Sequence, residues 1–490
     1  MVDGFGVNEV VEAGEGGAMI ADLCMTSRAR SESCLGAAGA VAVLDRVGVR
    51  EGQPFILAGD GSYDLQLNRF LRELPSWGVR AENSVLGYAR DMMLFVRFLE
   101  TSRHGKPIWA CDGDDLRAYK RVRLWCDGPG AVSVGTWNRS VAALDKWVAW
   151  SLDAGLLKQV PFRYVDKTVM TPVGPRRVHV NSEMEQDPED EPLRFVSFED
   201  YLLWRNVGLR GELPEGGVDP AWRGRHGERN ALFADGLVHS GMRLGEASCL
   251  LVPEVPAPGS LGEFRVAGAV AKRRKGRRVF LPPRKVRQFH HFIAVERDAI
   301  VARCMAQGRF PSASADWTVI RTGRYALVLD GGARSWPYGR IGLAERRRLV
   351  RRTGEPMWLW LADDGRPLAS AAWQAVFRRA NARCASFGID IEVHPHTLRH
   401  TYAVYMLGLL LRQTVRALGR RLDGPLAHAE LRRLLIGNPM RTLQLLLGHA
   451  REATVYVYLD VLDEAQEIVL AALAEWDAQS VALERAGEAS

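Results

Sequence analysis

The sequence predicts a mainly α-helical protein with a small β-sheet, divided into two domains. Three observations predict this. Apolar residues recur at helical spacing through four segments between 55 and 161. An interval rich in Pro, Gly, Asp and Glu, 162–192, carries little apolar periodicity. Beyond it helical patterning resumes, broken by a short strand-like interval at 264–281. With 490 residues the chain is too long for one hydrophobic core.

Residues 1–54 are rich in Gly, Ala and acids, which predicts a disordered or loosely helical head. From Phe55 the pattern firms. Leu65, Leu67, Phe70 and Leu71 predict a short helix that stops near Pro75. Leu86, Tyr88, Ala89, Met92, Phe95, Val96 and Leu99 predict a second over Asn83–Glu100. Asp114–Val122 reads as a third. Ser133–Leu152, with Val134, Trp137, Val141, Leu144, Trp147, Val148 and Trp150, reads as a fourth. Together they make an all-helical domain, 55–161, and Trp125, Trp137, Trp147 and Trp150 read as its core. Residues 162–192, with the acidic run 183–191, read as a linker. The second domain, 193–475, opens with helix, holds strand-like pieces at 264–268 and 278–281, and returns to helix over most of 285–475. A tail, 476–490, closes the chain.

Composition narrows the function. An apolar share of 47% and a charged share of 25% are those of an ordinary globular protein. No apolar run is long enough to span a bilayer, so no membrane association is expected. The start lacks a basic stretch followed by an apolar core, so no secretory signal is expected. The seven cysteines include no CxxC pair, which argues against a disulfide framework and a zinc site and predicts a cytoplasmic protein. The net charge of +7 is unevenly placed: residues 1–60 carry nine acids and four bases, leaving about +12 on the remaining 430. An acidic head on a basic body suits a polyanion-binding protein whose head stays off the polyanion.

Four elements then occur in order: His239-Ser-Gly-Met-Arg-Leu-Gly-Glu-Ala247, His396-Thr-Leu-Arg-His-Thr401, Leu446-Leu-Gly-His-Ala450, and Tyr458, nine residues after His449. They resemble the first arginine box, the H-x-x-R box, the L-G-H box and the nucleophile of the tyrosine recombinase (phage integrase) family. The resemblance covers about 55–475, because the N-terminal helices also resemble the family's core-binding (SAM-like) domain. It implies a mixed α/β tyrosine-recombinase catalytic domain behind that helical domain. It also implies site-specific cleavage and rejoining of double-stranded DNA for integration, excision or transposition of a mobile element.

The chemistry explains the residue types. A phosphodiester gains negative charge as a nucleophile adds, and guanidinium forks bind two oxygens at once. Arg243 and Arg399 fit that role. His396 and Arg399 stand three apart, so a helix puts both on one face. The resemblance makes His449 a phosphate ligand from a later helix and Tyr458 the nucleophile that forms a 3′-phosphotyrosine. The arginines stand where a metal would, so neither metal nor other cofactor is expected. A hairpin lysine supplies the proton to the leaving oxygen in the family. In Ala271-Lys-Arg-Arg-Lys-Gly-Arg-Arg-Val-Phe-Leu281, Lys272 aligns best when Arg277–Leu281 forms the return strand; Lys275 is its rival.

Several neighbours compete for these roles. Pro395 suits a helix start, placing His396 inside the helix and His394 outside it. Tyr456 competes with Tyr458, and the spacing from His449 favours Tyr458. His400 is a further candidate for packing or tuning the site, and Glu246 for orienting Arg243. The basic run 344–352 reads equally as a DNA contact and a solvated helical face. The stretch 402–440 exceeds the family's usual spacing and reads as an inserted helical pair. The apolar stripe over 462–482 reads as a helix. The resemblance implies that it docks on a neighbouring protomer in a homotetramer on two DNA sites, with packing on its own domain as the alternative and accessory proteins of the element as further partners. The alternatives are a type IB topoisomerase-like enzyme and a catalytically silent DNA-binding protein of the same fold.

Overall fold

The computed structural model describes residues 20–27, 40–126, 130–171, 174–185, 193–260, 262–310, 317–330, 335–419, 439–449 and 453–458. The chain separates into two compact units, Met1–Asp190 and Glu191–Ser490. It is mostly helical with small sheets, as the sequence predicts.

The four expected helices of the first unit are Leu65–Glu73, Glu82–Ser102, Gly113–Lys120 and Val134–Asp153. Three of their starts follow from side chains that satisfy unpaired backbone N–H groups. Asp64 accepts from the N–H of Gln66 and Leu67, and Asp112 and Asp115 form a reciprocal capping box. Ser133 accepts from the N–H of Thr136. Phe70, Met92, Phe95, Tyr119, Trp137, Trp147 and Trp150 fill the core between the helices. Trp125 does not join them. It ends a wide-turn extension of the third helix, 65% exposed, with the Lys120 ammonium 5.6 Å above its ring.

Two expectations need correction. The helix Ala40–Arg46 fits the loosely helical head, but β1 (Asp22–Met25) pairs antiparallel with β2 (Pro54–Leu57), an ordered strand pair not expected there. Glu100 ties this segment down by accepting from the N–H of Ala21 and Gly59, and Asn68 bonds both backbone groups of Ile56. These anchors lie far along the chain, where local periodicity carries no trace of them. The expected linker is largely a hairpin, β3 (Tyr164–Thr171) with β4 (Gly174–Asn181). Its polar composition hides the period-two pattern. Tyr164 and Asn181 both donate to Asp145 on the long fourth helix, and Lys120 pairs with Glu183 and Glu185 of the acidic run.

The second unit is built round the helix Gly227–Ser240, nearly all of it buried. Phe233 stacks on Trp373 with ring centroids 3.6 Å apart, and Trp360 packs across both. The strand-like interval is a hairpin, β5 (Glu263–Val266) with β6 (Arg277–Phe280). The return to helix is interrupted by a four-stranded sheet not foreseen from the sequence: β7 (Thr318–Thr322), β8 (Ala326–Leu329), β9 (Ser335–Pro337) and β10 (Val350–Arg351), in the order β10-β7-β8-β9. The β-branched content of Thr318–Thr322 carries the signal. Within the run 344–352 the residues divide, with Arg347 and Arg348 exposed and Arg346 not. Arg346 is buried and grips Glu254 with both arms, so it faces neither DNA nor solvent.

The segment read as an inserted helical pair begins as a direct continuation of the H-x-x-R helix, which runs unbroken over Pro395–Gly419. Residues 420–438 lie outside the described residues, and Pro439–Leu447 is the next helix. Leu407 packs with Met440, Leu443 and Leu447. No described helix is long and apolar enough to cross a membrane. The tail stripe 462–482 lies outside the described residues.

Candidate active site

Arg243 is placed by a glycine. The helix Gly227–Ser240 stops at Gly241, whose φ of +63° is left-handed, and a Cβ there would stand 2.4 Å from the ring of Tyr402. The chain therefore leaves the helix, and Arg243 stands extended at the head of the short helix Leu244–Ser248. It is not a surface arginine on an amphipathic helix. Glu246 holds it, accepting from its backbone N–H at 2.8 Å and from Nη1 at 3.1 Å.

Arg399 and the histidines come from the next box. Pro395 opens the helix as expected, His396 lies in its first turn, and His394 stands outside it beside Glu392. Arg399 is 1% exposed and donates to the carbonyls of Gly241 and Leu447. Burial, then the charges of Arg243 and Arg277, pull its pKa down to about 9, and it remains a cation at neutral pH. His396 reaches solvent, and its ring lies 4.3 Å from that of His400. His400 Nδ1 lies 3.1 Å from the Tyr458 hydroxyl.

The last box ends the helix Pro439–Leu447. Gly448 is left-handed at φ +66°, which turns the chain so that Gln444 accepts from the His449 N–H and returns its amide to the His449 carbonyl. His449 lies near-parallel to Tyr458, ring centroids 6.4 Å apart. Its Nδ1 is buried and has no partner among the described residues. Burial, helped by His396 and Arg399 at His400 and by Arg399 and Arg243 at His449, pushes both down to about 4, so both are neutral at neutral pH. Tyr458 is 2% exposed; burial raises its pKa, against the opposing pull of Arg399 and Arg243. Tyr456, half exposed, points elsewhere.

Lys272 stands exposed in the hairpin loop between β5 and β6, and its charge acts on His396. Lys275 is exposed further along the same loop. The six predicted residues thus come together, with Lys272 at the rim.

One residue of this site went unforeseen. Arg277, the first residue of β6, sends Nη1 and Nη2 to Glu246 at 2.8 and 2.6 Å and Nε to the Leu446 carbonyl at 2.8 Å. A Cβ on Gly448 would meet its Cδ at 2.9 Å. Arg277 thus ties the hairpin, the first box and the last box together. The signal was present in the strand. Burial alternates from Arg277 through Val279, so the arginine is in phase with a core valine. Burial alone would raise the Glu246 carboxyl, but the hydrogen bonds and charge of Arg277, with Arg243, hold it below the usual carboxylate range.

Residues 67–155 match the family model of the phage integrase N-terminal SAM-like domain. No curated protein sequence matches the chain. Solved structures with a similar arrangement include the Tn1549 transposon integrase in complex with transposon right-end DNA. It is 14% identical, with 83% of this chain and 98% of that chain covered, at a TM-score of 0.44. The XerH site-specific recombinase bound to its palindromic difH substrate is 15% identical over 80% of each chain, at 0.43. A lambda integrase dimer bound to a core site is 13% identical, covering 80% of this chain and 93% of that one, at 0.39. The chain resembles the tyrosine recombinases in its helical domain model and in the order of its boxes.

Proposed function

We propose that this chain is a tyrosine-type site-specific DNA recombinase that cleaves and rejoins duplex DNA through a 3′-phosphotyrosine at Tyr458. The observation that carries this reading is the gathering of Arg243, His396, Arg399, His400 and His449 round one tyrosine, from segments up to about 200 residues apart.

The reaction follows from the side chains. Arg243 and Arg399 take the non-bridging oxygens of the scissile phosphate, with His396 and His449 as further ligands. Each such arginine contributes roughly 10²–10³ in rate. The Tyr458 oxygen attacks phosphorus, its proton passes to the neutral Nδ1 of His400, and the bond to the 5′-oxygen breaks. Lys272 gives that oxygen its proton. Attack by the 5′-hydroxyl of another strand reverses the steps and rejoins the DNA, with bond energy stored in the ester throughout. Integration, excision or transposition of a mobile element, through a homotetramer holding two DNA sites, is the setting this chemistry serves.

A nicked suicide duplex tests the reading. Protein should become covalently attached at the 3′ side of the break, also in EDTA because the arginines supply the charge. Two-site substrates should recombine. Relaxation of supercoiled DNA without recombination would mark the chain as type IB topoisomerase-like, and binding without an adduct as catalytically silent.

Lys272→Ala should slow cleavage of an ordinary 5′-oxygen by about 10²-fold or more. A 5′-thio leaving group departs without that proton and should restore the rate. Rescue of Lys275→Ala instead would move the role to Lys275.

A further inference from the structure

The sheet β7–β10 lies in a strongly basic stretch of the chain. Residues 317–357 hold nine arginines, no lysine and three acids, a net of +6 against +7 for all 490 residues. The acids are largely committed. Glu355 takes the buried Arg297 at 2.6 Å and has Arg351 at 3.7 Å, and Asp330 has Arg352 at 3.7 Å. Arg346 is committed to Glu254. The remaining charge faces water. Arg321, Arg324, Arg340, Arg347 and Arg348 are all exposed, and none has a carboxylate within ion-pair distance among the described residues. Arg324 lies over the exposed ring of Tyr325, and Arg348 lies 3.9 Å over Trp317. So many unpaired like charges on one small sheet, its turns and the helix Leu343–Arg348 repel each other, a cost that a bound polyanion would remove.

Their place in the unit matters as much as their number. The turn Tyr338–Arg340 packs against the turn Gly268–Val270, which opens the loop that carries Lys272. The basic sheet therefore abuts the hairpin at the rim of the site.

We propose that this sheet is a docking surface for the phosphate backbone of duplex DNA beside the cleavage point, holding the duplex without reading its sequence. The proposal rests on the recombinase reading. Arginine suits the role, since its planar fork matches phosphate oxygens and its charge persists at any working pH. The absence of lysine and the exposed Tyr325 fit an interface more than a solvated face.

The test is a quadruple variant, R321Q/R324Q/R340Q/R347Q, in the full chain, with duplex binding measured across a salt series. Each phosphate left without its arginine should make the plot of log K against log salt shallower by about 0.9. Three such phosphates should flatten it by roughly 2–3 units, and affinity at 0.1 M salt should fall by at least about tenfold. Adduct yield at saturating protein should stay within about threefold of wild type, since the four lie outside the catalytic group. The variant R225Q/R366Q, whose side chains are 81% and 85% exposed, controls for a general loss of charge. An unchanged slope, or an equal loss per charge in the control, overturns the proposal. A wild-type chain that binds no duplex sinks the recombinase reading itself.

Discussion

Tyr458→Phe should abolish the covalent adduct, by roughly 10⁴-fold or more, the scale of loss when a nucleophile goes and only binding is left. The substitution removes one oxygen and keeps the ring, so the packing of Tyr458 with Leu407, Leu443 and Val455 persists. What is lost besides the nucleophile is a single hydrogen bond to His400, worth about 1 kcal/mol. Folding and duplex affinity should therefore remain close to wild type. Tyr456→Phe is the matched control. That side chain is 50% exposed and its removal should leave adduct formation intact. An adduct in Tyr458→Phe, or its loss in Tyr456→Phe alone, would remove Tyr458 from the mechanism.

The second large effect is expected at Arg277. Arg277→Met leaves the Glu246 carboxylate buried with only Arg243 beside it. Breaking a buried ion pair from one side costs roughly 3–5 kcal/mol, and the melting temperature should drop by about 2–4 °C for each. Cleavage should fall by about 10²-fold beyond any loss of folded protein. Glu246 orients Arg243 only while Arg277 fixes Glu246. The double variant R277M/E246Q removes the stranded charge. It should recover most of the stability and little of the cleavage. If cleavage recovers together with stability, Arg277 is a structural residue only. The pH dependence has a definite sign. The folded Glu246 carboxyl is held below its ordinary pKa of about 4.3, so its stabilising effect is present above that value and lost as pH falls through the lower folded pKa. The double variant should lack this contribution.

Residues whose roles follow from local pattern are legible in the sequence itself. The four helices of the first unit, the helix start at Pro395 and the candidates Arg243, Lys272, His396, Arg399, His449 and Tyr458 all rest on spacing, caps and motif order over short stretches of chain. Such signals survive in sequence because a helical period or a capping residue acts within a few positions of itself. Glu246 is legible as a partner for Arg243 because the two stand three apart on one turn.

Tertiary structure alone decided which charges are buried and what they hold. Arg346 and Arg347 are adjacent and identical in sequence, yet Arg346 grips Glu254, 92 positions away, while Arg347 faces water. Arg277 and Arg278 differ in the same way: Arg277 reaches Glu246 and Leu446, separated from it by 31 and 169 positions. Residues 20–27 and the hairpin β3–β4 are likewise ordered by distant partners, Glu100, Lys120 and Asp145. An arginine's composition and neighbours are the same whether it meets solvent or a carboxylate. Which it meets depends on which chain segments the fold brings together, and a pairing between distant segments leaves no local periodicity to read.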